Sequence, residues 1–271
     1  MDLFFLKVGL TALTLSLLLG LFSFVVYFFR LAFLSIAVSH AVLGGLAVGI
    51  FLGINPVWSA LIFSLLVGWF IALLRKKVGL SEDASIGIVL ALSMAGGIIL
   101  IYLSGYQGNL FAYLFGSLLT VSWSDFWSLL LLGILTLILF WKYKEQILFL
   151  CFDEETAYSA GINTDLLYYL LVGFLSFLIT YTTKLVGVIL THAMLVIPTA
   201  TAFQLAWHYS ELLALSGLVS VVSTFGGLIF AYLFNLPTGP SIVLIGGSLF
   251  LVAYLIGKVK GPRGARGIFK S

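Results

Sequence analysis

The chain has 271 residues, of which 62% are hydrophobic and 8% charged, with a mean hydropathy of +1.22. A soluble domain is about a quarter charged because water must wet its surface, so this chain must turn most of its outer surface to lipid. The net charge of +3 does not point to nucleic acid, because the basic residues sit in short clusters between apolar runs, as orienting charges do in membrane proteins.

The N-terminus lacks a basic region and a small-residue cleavage site, so the first apolar run reads as a retained segment. A membrane helix needs roughly 20 apolar residues. Three charge-free stretches, 31–74, 84–124 and 212–257, are each about twice that length. Each holds a breaker: Gly53-Ile54-Asn55-Pro56, Ser104 to Asn109 (with Gly105 and Gly108), and Asn235-Leu236-Pro237-Thr238-Gly239-Pro240. Glycine and proline at such points read as turns. The expectation is a single all-α domain over 1–271, a polytopic bundle of eight or nine transmembrane helices. Crossings fall near 8–29, 31–52, 57–74, 85–103, 122–141, 166–183, 186–207, 212–233 and 241–257. Leu110–Val121 is too short to span and reads as re-entrant or interfacial, with Gly116 tolerating a break. The polar excursion 142–165 and the basic tail 258–271 lie on the cytoplasmic side.

With the N-terminus outside, Arg30, Arg75, Lys76, Lys77, Lys142, Lys144, Lys258, Lys260, Arg263, Arg266 and Lys270 face the cytoplasm, leaving Lys7 and Lys184 outside. That asymmetry fits the positive-inside rule. A spanning Leu110–Val121 would flip everything before it and leave the second half unchanged. Ala41, Gly45, Gly49 and Gly53 recur every four residues on the second helix, and Gly87, Ala91 and Ala95 on the fourth. Small residues at that spacing let membrane helices approach closely, which argues for packing and says little about substrate.

Several chemistries are missing. No Gly-x-x-x-x-Gly-Lys-Ser/Thr loop, Gly-x-Ser-x-Gly elbow or His-Glu-x-x-His helix occurs. All ten acidic residues fall at predicted helix ends or in loops, which excludes paired-carboxylate catalysis inside the bilayer and argues against a carboxylate proton relay. The single cysteine, Cys151, cannot form an intrachain disulfide.

Histidine remains at depth. His40 lies about 15 Å past Arg30 and His192 about 9 Å past Val186 at the helical rise, so the two fall at similar levels. Neutral imidazole suits first-row transition metals; a histidine bonded to a neighbouring helix carbonyl is the alternative. Met194 follows His192, and Pro198 removes one backbone donor from the same helix, leaving either a carbonyl for a passing cation or a simple kink. Two imidazoles fall short of a closed four-ligand zinc site, as befits a carrier that must release its cargo. In 142–165, Asp153, Glu154 and Glu155 stand at the positive end of a short helical stretch that includes Ala157 and stops at Gly161. Such a helix suits docking into a partner's groove, or is a plain surface loop.

Taken together, Ser39-His40-Ala41-Val42-Leu43-Gly44, Ala112 to Leu119 (Ala-Tyr-Leu-Phe-Gly-Ser-Leu-Leu), Asp153–Gly161, Val186-Gly187, Leu195 to Ala202 and Pro237-Thr238-Gly239-Pro240-Ser241 resemble the membrane permease of ATP-binding-cassette importers for zinc, manganese and iron, over about Phe24 to Tyr254. The resemblance implies a homodimeric pore in a prokaryotic plasma (inner) membrane, served by cytosolic ATPase subunits and an extracytoplasmic metal-binding protein. It also implies a coupling role for Asp153–Gly161 and a metal-lining role for His40, with no permanent cofactor. Many relatives carry an acidic residue where this chain has Ile36 and a small one where it has His192, which favours zinc over manganese as cargo. The expected function is transport powered by ATP hydrolysis on a partner. The competing reading is an ATP-independent secondary carrier or channel.

Overall fold

A computed structural model describes residues 2–106, 108, 116 and 118–259. Leu110–Phe115 and Ser117 of the expected re-entrant segment, and residues 260–271 of the basic tail, lie outside the described residues. Among the described residues every regular element is helical. In chain order these are α1 (Asp2–Phe28), α2 (Ala32–Leu52), α3 (Pro56–Leu73) continued by a π turn (Leu74–Val78), α4 (Glu82–Ser104), a 3-10 turn (Leu118–Thr120), α5 (Trp123–Lys142), α6 (Lys144–Phe152), α7 (Glu154–Ser159), α8 (Thr164–Val186), α9 (Val188–Phe203), α10 (Tyr209–Phe234) and α11 (Thr238–Val259). Eight of them are long and apolar enough to cross a membrane: α1, α2, α3 with its π turn, α4, α5, α8, α10 and α11. The chain is an all-α, multi-pass membrane protein.

Local chemistry sets the helix ends. Gly53 adopts φ +67° after α2, and the Asn55 side chain accepts the amide N–H of Val57 at 3.0 Å to start α3, with Pro56 in the first turn where a missing N–H costs nothing. Ser81 caps α4 and Gly105 (φ +65°) ends it. At α5 the Ser122 hydroxyl accepts the Asp125 amide while the Asp125 carboxylate accepts the Ser122 amide, each at 3.1 Å, a reciprocal cap. Asn235 (φ 53°) closes α10.

The structure departs from the sequence expectation in two elements. The 186–207 crossing is interrupted at Gly187 (φ 88°), and α9 has only 16 residues, about 24 Å at the helical rise against a hydrocarbon core of roughly 30 Å. The 142–165 excursion holds α6, which the sequence did not predict, ahead of α7, the short helical stretch expected from Asp153 to Gly161; Asp153 ends one helix and caps the next.

The chain divides into two compact units. The first takes Met1–Leu31, Phe115–Lys142 and Leu185–Ser271. In it α1 packs on α5, α9 and α10, and α11 on α9 and α10. The Ser220 hydroxyl of α10 donates to the Ser16 carbonyl of α1 at 2.6 Å, beside Gly20, whose ideal Cβ would stand 2.9 Å from Ser220 Cβ. Gly116 is pressed against the α8–α9 break, where a Cβ would meet the Gly187 nitrogen and the Leu185 oxygen at 2.8 Å. The second unit takes Ala32–Leu114 and Tyr143–Lys184. There α2 is wedged between α3 and α4. A Cβ on Gly45 would lie 2.5 Å from Ala60 Cα, one on Gly49 2.7 Å from Pro56 Cα, and one on Gly97 2.9 Å from Gly44 Cα. A Cβ on Gly53 or Gly87 would meet nothing within 4 Å. Gly53 therefore shapes the turn instead of packing, and α4 approaches α2 through Gly97, not through the Gly87 end of its small-residue stripe.

Candidate functional site

The sequence-predicted residues fall into three groups. His40 sits on α2 in the second unit, half-buried, with its Nδ1 enclosed and without a hydrogen-bond partner. Ser39 beside it meets Thr183 of α8, hydroxyl to hydroxyl at 3.5 Å, both buried. An unpaired imidazole nitrogen away from water costs free energy, so this nitrogen is the polar atom on α2 left to be satisfied by a ligand. Ala41, 0% exposed, lies on the same helix.

His192, Met194 and Pro198 lie on α9 in the first unit. His192 is half-buried and Met194 buried. Residues two apart on a helix point to opposite sides, so His192 and Met194 do not form a ligand pair. Pro198 withdraws a donor from the Met194 carbonyl, and the kink is stitched to its neighbours. The Thr199 amide donates to Ser23 Oγ of α1 at 3.0 Å, and the Thr199 hydroxyl meets Ser216 Oγ of α10 at 2.9 Å. These bonds tie α9 beside Pro198 to α1 and α10. Among the described residues no three His, Cys, Asp or Glu side chains converge to hold a metal ion.

The third group is α7. The Asp153 carboxylate accepts the Thr156 hydroxyl and the Glu155 amide, the latter at 3.0 Å. The Thr156 hydroxyl first, and then the backbone amides, hold the Asp153 carboxyl below the usual carboxylate range. At the other end Gly161 (φ 82°) donates its N–H to the Tyr158 carbonyl, and Ile162 to the Ala157 carbonyl at 3.1 Å, the paired closure that requires a left-handed residue. Ala157 is fully buried, while Tyr158 is 73% exposed. An open hollow of about 540 Å³ lies beside it, lined by Tyr158, Gly161, Ile162, Asn163, Thr164 and Asp165. Cys151, just before, is half-buried, and burial pushes its thiol above the ordinary range, away from the thiolate form.

Sequence reasoning missed one set of residues here. Glu154 is bonded to Lys76, which in turn bonds Asp165 at 2.7 Å, and Arg75 Nη2 lies 3.7 Å from Glu154. Arg75 and Lys76 were legible as orienting charges; nothing in the sequence joins them to acids 78 and 89 residues away.

Comparison with known proteins agrees with this architecture. The family model of the ABC 3 transport family matches residues 1–257. The chain belongs to the ABC 3 transport family. This ABC 3 chain is 31% identical over 255 residues to the manganese transport system membrane protein MntC of Listeria monocytogenes, covering 94% of this chain and 91% of that protein. It is 33% identical over 247 residues to the manganese import system permease protein ScaB of Streptococcus gordonii, covering 91% and 89%. Its fold matches PsaBC from Streptococcus pneumoniae in complex with Fab, at a TM-score of 0.80 and 31% identity over 95% of each chain.

Proposed function

We propose that this ABC 3 chain is the permease subunit of an importer that carries a divalent transition metal into a prokaryotic cytoplasm. In this reading the whole of 1–271 serves as one transmembrane permease domain with a cytoplasmic C-terminal tail. A homodimer forms the pore, an extracytoplasmic binding protein delivers the metal, and a cytosolic ATPase powers transport by pressing on α7. The observation that carries the reading is α7 itself. It is a six-residue helix, capped at both ends by its own sequence, that presents Tyr158 beside an open hollow. Its caps and the buried Ala157 hold it in place while Glu155, Thr156, Tyr158 and Ser159 stay exposed, which suits a contact element. The chain has no nucleotide-binding loop of its own, which fits an engine supplied in trans.

His40 is the residue assigned to the metal path, because its Nδ1 is enclosed and open to a ligand. His192, on α9, is the second histidine assigned to that role. Manganese in the names of relatives such as MntC and ScaB supports manganese as the leading cargo. Ile36 and His192 in this chain argue for zinc, so zinc is the competing cargo, with iron a further one.

Reconstitution of the permease with its ATPase in vesicles tests this. ATPase activity and uptake are measured with manganese, zinc and iron. His40→Ala is expected to cut metal uptake while the complex stays assembled. Gly161→Pro is expected to leave insertion intact and uncouple hydrolysis from uptake, since proline locks φ near −65° where Gly161 needs +82°. Cation movement by the permease alone, without any ATPase, would overturn the proposal in favour of a secondary carrier or channel.

A further inference from the structure

We infer that Arg75, Lys76 and Tyr168 are positioning residues that join α7 to α3 and α8, so that displacement of α7 is passed to two membrane helices together. The inference rests on the reading of α7 as the ATPase contact. The Lys76 ammonium bonds Glu154, the first residue of α7, and Asp165, in the first turn of α8. One side chain from the end of α3 thus ties together the starts of two helices. Its side chain is 13% exposed while those of Glu154 and Asp165 are 41% and 66% exposed, so the bond to Glu154 is the less screened of the two.

Beneath them lies the ring of Tyr168, only 2% exposed. Arg75 Cζ stands 4.5 Å and Lys76 Nζ 5.5 Å from its centroid, within the range of cation–π attraction. Tyr168 follows Asp165 by three residues on α8 and so shares its face. Both cations therefore contact α8 through the Tyr168 ring and α7 through Glu154. Glu154 is well placed for its part, since a carboxylate at a helix start meets the positive end of the backbone dipole.

The backbone of α3 is shaped for this. Its last turn opens into a π turn over Leu74–Val78, ended by Gly79 at φ 74°. Such turns are rare and concentrate at functional positions. A wider turn lets consecutive residues diverge less, so Arg75 and Lys76 both reach inward. Lys77, next in line, is exposed and can serve the ordinary anchoring role at the interface. Anchoring alone therefore does not account for Arg75 and Lys76.

The test uses the full complex with its ATPase, reconstituted in vesicles, reading metal imported per ATP hydrolysed. Lys76→Met is expected to lower that ratio by about fivefold or more, the lower bound of ordinary coupling between sites, while ATPase activity and assembly persist. Lys76→Arg should restore it. Glu154→Gln should lower it similarly, and the double variant Lys76→Met with Glu154→Gln should fall no further than either alone. A photocrosslinker replacing the exposed Tyr158 reports contact of α7 with the ATPase. A crosslink in both wild-type and Lys76→Met complexes, with a reduced ratio, supports the inference. A crosslink in both with an unchanged ratio overturns the inference and leaves the ATPase contact standing. Absence of the crosslink in the otherwise wild-type complex overturns the contact reading, and the inference with it. Loss of the crosslink only in Lys76→Met overturns transmission in favour of a role in holding α7 in place.

Discussion

Gly45→Ala isolates the contact on which the second unit is built. The added methyl would stand 2.5 Å from Ala60 Cα, 2.9 Å from Phe63 Cβ and 3.2 Å from the Ala60 nitrogen. Carbon atoms rest at about 3.5 Å or more, so α3 would have to withdraw by about 1 Å. The obstacle is backbone, which cannot rotate aside. Nor can α2 retreat, because Gly44 on a neighbouring face is already held by Gly97 of α4. Overpacking of this kind costs about 1–3 kcal/mol, against a gain of about 1 kcal/mol from replacing glycine within a helix. The net expectation is a lower thermal unfolding midpoint in detergent. Gly87→Ala is the matched control: its Cβ meets nothing within 4 Å, so only the helix-propensity gain remains and the midpoint should hold or rise. Gly53→Ala separates a third mechanism. Its space is open but its φ is +67°, costing about 1–2 kcal/mol for a residue with a Cβ, and Gly53→Asn should recover part of the loss. The reasoning is refuted if Gly45→Ala unfolds no earlier than Gly87→Ala.

Two further outcomes are expected. Because the native Asp153 carboxyl titrates below its unfolded value, its capping of α7 is complete above the ordinary carboxylate pKa of about 3.9 and is lost as pH falls through the lowered native value. Amide exchange at Glu155 and Thr156 should accordingly show no added opening between neutral pH and that range and should accelerate below it, while Asp153→Ala accelerates it at neutral pH; an Asp153→Ala variant with unchanged exchange would count against the cap. Asn235 closes α10 at φ 53° and its N–H bonds the Ala231 carbonyl, so Asn235→Val should lower the unfolding midpoint while Asn235→Gly should not; equal effects would show that the left-handed turn is not the constraint.

Much of the fold was legible because the bilayer is a severe solvent. It forbids free backbone groups and charges, so charges, glycines and prolines mark where helices stop. The break at Gly53 to Pro56 and the closure at Asn235 could be read in this way. The interruption at Gly187 could not, since a single glycine in an apolar run is equally compatible with a straight helix, and what distinguishes it here is a positive φ packed against Gly116. Periodicity picks out a face of a helix without naming its neighbour. It therefore grouped Gly53 with Gly45 and Gly49, although only the latter two meet α3, and it favoured Gly87 over Gly97.

The site divides along the same line. The sequence by itself determined that the chain spans a membrane and that Asp153 to Gly161 begins and ends a short helix, because each follows from composition or from contacts within a few residues. Only the tertiary structure decided that the His40 Nδ1 is left unpaired, that Thr199 beside Pro198 bonds Ser23 and Ser216, and that Arg75 and Lys76 serve Glu154, Asp165 and Tyr168. Those partners are distant in sequence, and the attraction between charges depends on separation and burial in space, neither of which the order of residues records.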